Sequence, residues 1–164
     1  FRSVVDAGIN DKMSEFHAAM GLSVLDEIET VFRKREEVHQ RYYEALGDHF
    51  VMPVWAEGAT RNYAYFPVLF PSEDALLKTQ QRLSEMGIIS RRYFYPSLDT
   101  LGYGQPDGAS PISGDRARRV LCLPMYPALP LGIQEKIILI VILAQESWAG
   151  EVPAVQSNIG SIDG

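Results

Sequence analysis

The sequence predicts an α/β layer: two leading helices, then strands and helices in alternation, with about three strands. Three observations predict it. Apolar residues recur at three-to-four spacing between Met13 and Leu46. Beyond Gly47 the rhythm shifts to short runs rich in aromatic and β-branched residues, each followed by a helical pattern. The chain has 164 residues, 46% hydrophobic and 22% charged, enough for one compact core. Strands alternating with helices belong to a layered fold and not to a bundle.

The first helix is expected to start at Asn10 or Asp11, both good N-cap types, and to carry Met13, Phe16 and Met20 on one face. Ala18 and Ala19 allow close approach by a neighbour, and Gly21 is expected to loosen or kink the helix. A longer amphipathic helix follows, with Val24, Leu25, Ile28, Val31, Phe32, Val38, Tyr42 and Leu46 on its apolar face. Its charge run RKREE reads as a solvated face, Glu29 precedes Arg33 in the favourable order, and Gly47 supplies the stop. Asn62 to Phe70 reads as a strand, with Pro67 pointing to a sheet edge. Ser72 to Met86 is helical: Ser72 caps it, Glu73 and Asp74 suit its N-terminal dipole, and Gly87 ends it.

Ile88 to Tyr93 reads as a second strand, and Tyr95 to Pro111 as a loop dense in Pro, Gly, Asp and Ser, of the kind that often carries function. A short helix from Ser113 to Arg119, a third strand from Val120 to Leu123 and a last helix from Ile133 to Trp148 complete the domain. The tail from Glu151 has no period and is expected to fray. The organisation read from this is residues 1–47 as helices, 48–149 as a small α/β domain and 150–164 as a flexible tail.

Composition narrows the functional classes. A formal net charge of −6 argues against a nucleic-acid surface, although a local cationic pocket is compatible with it. The apolar run Ile137 to Ala144 is far short of the roughly 20 residues a membrane span needs, so it reads as a core helix. A single cysteine, Cys122, cannot form an intrachain disulfide and points to a reducing, cytoplasmic setting. The opening FRSVVDAGIN lacks both a methionine and a leader pattern, so the chain is expected to begin inside a larger protein.

No phosphate-loop, dinucleotide, zinc-protease or nucleophile-elbow motif is present. His17, His39 and His49 lie in or beside the two leading helices without metal-site spacing, and His17 and His39 read as helix-face residues, so no metal is expected. Cys122, in the apolar string VLCL, reads as a buried structural thiol. The stretch GINDK is different. A helix N-terminus offers free N–H groups and a positive dipole to an anion, to which Asn10 can add an amide and Lys12 a full charge. On local spacing alone, a plain cap and a solvated lysine explain the same residues.

The segment GINDKMSEFHAAMGLSVLDEI, with YYEALG after it, then NYAYFPVLFP, GIISRRYFYPSL and RVLCLPMYPAL, resembles in order the DegT/DnrJ/EryC1/StrS family of sugar aminotransferases. The resemblance spans residues 8 to about 146. It implies the C-terminal part of a fold-type-I transferase dependent on pyridoxal 5′-phosphate, in which residues 1–47 are the last helices of the large domain and a dimer interface. The implied activity moves an amino group from glutamate to a nucleotide-linked keto sugar, in a homodimer.

Residue by residue, the resemblance makes Asn10 a ligand of the cofactor phosphate across the dimer, and places Lys12 by the same anionic site. Tyr93 and Tyr95 become substrate contacts near the active-site mouth, and Asp99 stands in the neighbourhood where many members have a histidine. Read from the residues alone, the two tyrosines serve equally as packing. The lysine that carries the cofactor in the family has no counterpart motif here, so no catalytic residue is assigned and the chain alone is expected to be inactive. Two alternatives share the fold: a non-catalytic dimerisation or ligand-binding module, and part of a sugar dehydratase using pyridoxamine phosphate.

Overall fold

A computed structural model describes residues 13–100 and 111–149. Helix α1 (Glu15–Asp26) is capped by Ser14, whose Oγ accepts from the His17 backbone N–H. The helix therefore begins a turn later than Asn10 or Asp11, which lie outside the described residues. Ser14 takes the role because its hydroxyl meets the free N–H three residues on. Gly21 does not interrupt α1; the break falls at Glu27, and α2 (Ile28–Leu46) follows. No residue of α1 is buried, and Phe16 is 82% exposed.

Helix α2 buries Val38, His39, Tyr42 and Leu46, the expected three-to-four stripe, while its charged face is solvated. Strand β1 (Phe66–Leu69) pairs antiparallel with β2 (Val120–Leu123), Phe66 opposite Leu123 and Val68 opposite Leu121. The middle strand expected at Ile88 to Tyr93 contracts to one bridge, Arg91 opposite Cys122. It is bounded at both ends. Helix α3 (Glu73–Glu85) closes in a Schellman turn: Gly87 at φ +73° donates to the Ser84 carbonyl and Ile88 to that of Leu83. Pro96, without an N–H, soon follows on the other side.

Cys122 exchanges both backbone bonds with Arg91, so its amide and carbonyl face away from β1. Pro67, opposite Cys122, consequently turns its nitrogen to the outer edge of the sheet, where a missing N–H costs nothing. The expected edge position is correct.

The inner face of the sheet supplies Phe66, Val68, Leu121 and Leu123 to a core shared with α2, α3 and α5 (Leu131–Ala149). Ile137 and Val141 of α5 are fully buried one turn apart, and Gln134 below them is buried too, its Nε2 donating to the Val38 carbonyl at 2.7 Å. Ser72 caps α3 as expected, accepting from the Ala75 N–H at 3.1 Å. The short helix α4 (Pro111–Arg119) leads straight into β2. Among the described residues no helix is long and apolar enough to cross a membrane.

Candidate functional site

Side chains alternate across an extended segment, so Arg91 and Arg92 leave the chain on opposite faces while Arg91 and Tyr93 share one. The two arginines meet different fates. Arg92 is held inside: its Nη2 donates to Glu73 Oε1 at 2.7 Å and to the Arg118 carbonyl at 2.9 Å, and its side chain is only 13% exposed. Glu73 can reach it because it opens α3, where the helix dipole already favours a carboxylate. The Tyr95 ring lies 3.6 Å from the Arg92 guanidinium carbon, a close cation–π contact.

Arg91 stands on the open face of the sheet and is exposed. Its Nη1 donates to the Tyr93 hydroxyl at 2.9 Å, and no carboxylate among the described residues forms an ion pair with it. With Tyr65, Tyr93, Cys122, Met125 and Tyr126 it lines a half-open cleft of about 300 Å³. The rings of Tyr65 and Tyr93 meet edge to face at 5.1 Å. Cys122 forms part of the floor. Burial pushes its thiol up to about 11, opposed by a hydrogen bond from the Tyr93 backbone, which disfavours the thiolate at neutral pH.

Tyr93 and Tyr95 are thus divided by the structure. Tyr93 belongs to the cleft wall and also borders a second hollow with Phe94, Ser97, Leu98 and Arg116. Tyr95 packs on Arg92. Asn10 and Lys12 lie outside the described residues. Sequence reasoning missed Arg91, Tyr65 and Tyr126; the signal for the first was its two-residue spacing to Tyr93 in a strand-like stretch.

Behind Tyr65, a 220 Å³ apolar pocket is lined by His39, Tyr43, Trp55 and Phe66. His39 packs edge-on against Tyr63 and Phe66. Its pKa is lowered, chiefly by burial and then by Arg61, with Glu36 opposing, which keeps the imidazole neutral among aromatic neighbours. The expected helix-face reading holds, on the buried face.

The profile of the DegT/DnrJ/EryC1/StrS aminotransferase family matches residues 1–141. The chain belongs to that family. Among relatives in the family, a dTDP-4-amino-4,6-dideoxy-D-glucose transaminase of Escherichia coli is 35% identical over 144 residues, 82% of this chain and 39% of that protein. A dTDP-3-amino-3,4,6-trideoxy-alpha-D-glucose transaminase of Micromonospora megalomicea subsp. nigra is 28% identical over 141 residues, 80% of this chain and 37% of that protein. The chain spans well under half the length of these relatives. In structure it is similar to a DegT DnrJ EryC1 StrS aminotransferase from Brucella abortus, with a TM-score of 0.69 and 29% identity over 84% of this chain and 37% of that one. The aminotransferase TlmJ from Streptoalloteichus hindustanus shares the fold, with a TM-score of 0.74 at 23% identity over 89% of this chain and 40% of that one.

Pyridoxal phosphate in this family raises a question of fit. Lys34 and Lys136 are exposed on α2 and α5, and Lys78 pairs with Asp74 at 2.7 Å on α3. Among the described residues no lysine lines the Arg91 cleft. The described residues by themselves do not fit a covalently held cofactor.

Proposed function

We propose that this chain is the C-terminal part of a pyridoxal-phosphate-dependent transaminase that moves an amino group from glutamate to a nucleotide-linked keto sugar. The observation that carries the reading is the 35% identity to a dTDP-sugar transaminase over 82% of the chain. The family match also runs through every residue of the cleft. In this reading the small domain shapes the mouth of the active site. Tyr93 offers a ring and a hydroxyl to the sugar, and Tyr95 is a second substrate contact braced by Arg92. Asn10 donates to the cofactor phosphate of a second subunit and Lys12 adds positive charge beside it. The homodimer is part of the proposal: α1 leaves Phe16, Met20 and Val24 uncovered at four-residue spacing, an apolar face of the kind that partners cover. The covalent cofactor site is supplied from outside the described residues.

The test joins this chain to the coding region upstream of Phe1. The protein, supplied with pyridoxal phosphate, is incubated with ¹⁵N-glutamate and a dTDP-linked 4-keto-6-deoxyhexose. Transfer of ¹⁵N to the sugar, read by mass spectrometry, is the expected result. Loss of a hydroxyl without gain of nitrogen would instead place the protein with the dehydratases. No turnover over a panel of keto sugar nucleotides, from a protein that carries the upstream lysine, would sink the reading.

A further inference from the structure

We infer that the cleft between Arg91, Tyr93, Tyr65 and Tyr126 is an oxyanion subsite, in which the Arg91 guanidinium binds a phosphate or carboxylate group of a substrate. Four features of the molecule support it. The chain is acidic overall, yet among the described residues no aspartate or glutamate lines this cleft and the one formal charge there is the Arg91 cation. Arg91 has no acidic partner among the described residues, whereas Arg92 and Arg119 are both paired, to Glu73 and Asp115. The Tyr93 hydroxyl accepts from Nη1 at 2.9 Å, which holds one arm of the fork and leaves other guanidinium N–H groups to a ligand. The phenol groups of Tyr65, Tyr93 and Tyr126 border the same space and can donate to oxyanion oxygens, while Met125 and Leu123 make its wall partly apolar.

The cleft volume of about 300 Å³ sits at the small end of the range for ligand sites, suited to one charged group and its immediate attachment. Arginine suits that role because its planar fork meets two oxygens at once. A nucleotide-linked sugar brings a diphosphate and glutamate brings carboxylates, so the identity of the anion rests on the proposed function. The existence of the subsite does not.

The experiment uses arginine-selective modification of the 164-residue chain with phenylglyoxal, read by peptide mass spectrometry. Arg91 should react faster than the ion-paired Arg92 and Arg119. Inorganic pyrophosphate should slow its modification at least tenfold if the anion is the diphosphate; L-glutamate should do so if it is the donor carboxylate. Calorimetric binding of the protecting anion should fall at least tenfold in Arg91→Gln and be partly restored in Arg91→Lys. Equal modification of Arg91 with and without both anions overturns the inference, and that measurement needs no variant to fold. Undiminished binding by a folded Arg91→Gln also overturns it. Protection without ¹⁵N transfer in the longer protein removes the proposed function and keeps the subsite; transfer without protection does the reverse.

Discussion

Replacing Arg92 by methionine keeps an unbranched stem of similar reach and deletes the guanidinium. Three contacts go with it. The pair with Glu73 is only partly buried, Glu73 being 33% exposed, so its loss is worth about 1 kcal/mol and not the full cost of a buried pair. The hydrogen bond to the Arg118 carbonyl contributes about 1 kcal/mol, and the stacking on Tyr95 roughly 0.5–1 kcal/mol. Against these, the buried Nε of Arg92 has no partner, and its removal returns up to about 1 kcal/mol. The net expectation is a loss of about 2 kcal/mol, or about 1 M in the urea midpoint for a slope near 2 kcal/mol/M. A double-mutant cycle with Glu73→Gln should give a coupling of about 1 kcal/mol. A midpoint shift under about 0.2 M, or additive single changes, would refute the claim that this arginine ties α3 to the Tyr95 segment.

Four further outcomes are expected. Because the folded pKa of His39 lies below its ordinary 6.5, the unfolded chain takes up its proton first as pH falls. Stability should be full above that value, decline below it until the folded imidazole also protonates, and lose this component of the pH profile in His39→Gln. Cys122, pushed up to about 11, should carry about one thiolate per thousand molecules at pH 8 and, on the cleft floor, react with Ellman's reagent roughly a hundredfold more slowly than an exposed thiol of ordinary pKa; labelling at the rate of a free thiol would contradict the raised pKa. Gly87→Ala should cost about 1–2 kcal/mol through its φ of +73° alone, since a Cβ there meets no atom within 4 Å, and a neutral substitution would count against the Schellman turn. In the longer protein, Asn10→Ala should weaken pyridoxal phosphate binding about ten- to hundredfold if the amide contacts the phosphate, from a charge-assisted hydrogen bond of about 1.5–3 kcal/mol. Unchanged cofactor affinity would return Asn10 to a purely structural role.

Most of the architecture was legible because its determinants are local. Ser72 with Glu73 and Asp74, the stripe Val38, Tyr42 and Leu46, and Gly87 after α3 each act within a turn or two of chain. What the sequence concealed depends on partners distant along the chain. The segment from Ile88 has strand-like composition, but how many of its residues pair is decided by where the turn at Gly87 aims it relative to Cys122, 35 positions after Gly87. The start of α1 was misplaced because Asn10, Asp11 and Ser14 are all competent caps, and only geometry chooses among them. At the candidate site, Tyr93 stood out in the sequence while Tyr65, Tyr126 and the cation did not. Adjacent arginines look alike until one is seen paired to Glu73 and the other facing open space.

The proline in β1 governs how this molecule can meet others. With Phe66 and Val68 directed at β2, only Pro67 and Leu69 turn their main-chain groups outward along that margin, and Pro67 has nothing to donate. A foreign strand approaching β1 would therefore find a single amide over the whole rim, too little to seed cross-chain β pairing. Growth into extended β aggregates is discouraged on that side by one residue. Any assembly along that side is left to side-chain complementarity, which is selective, in place of backbone zippering, which is not.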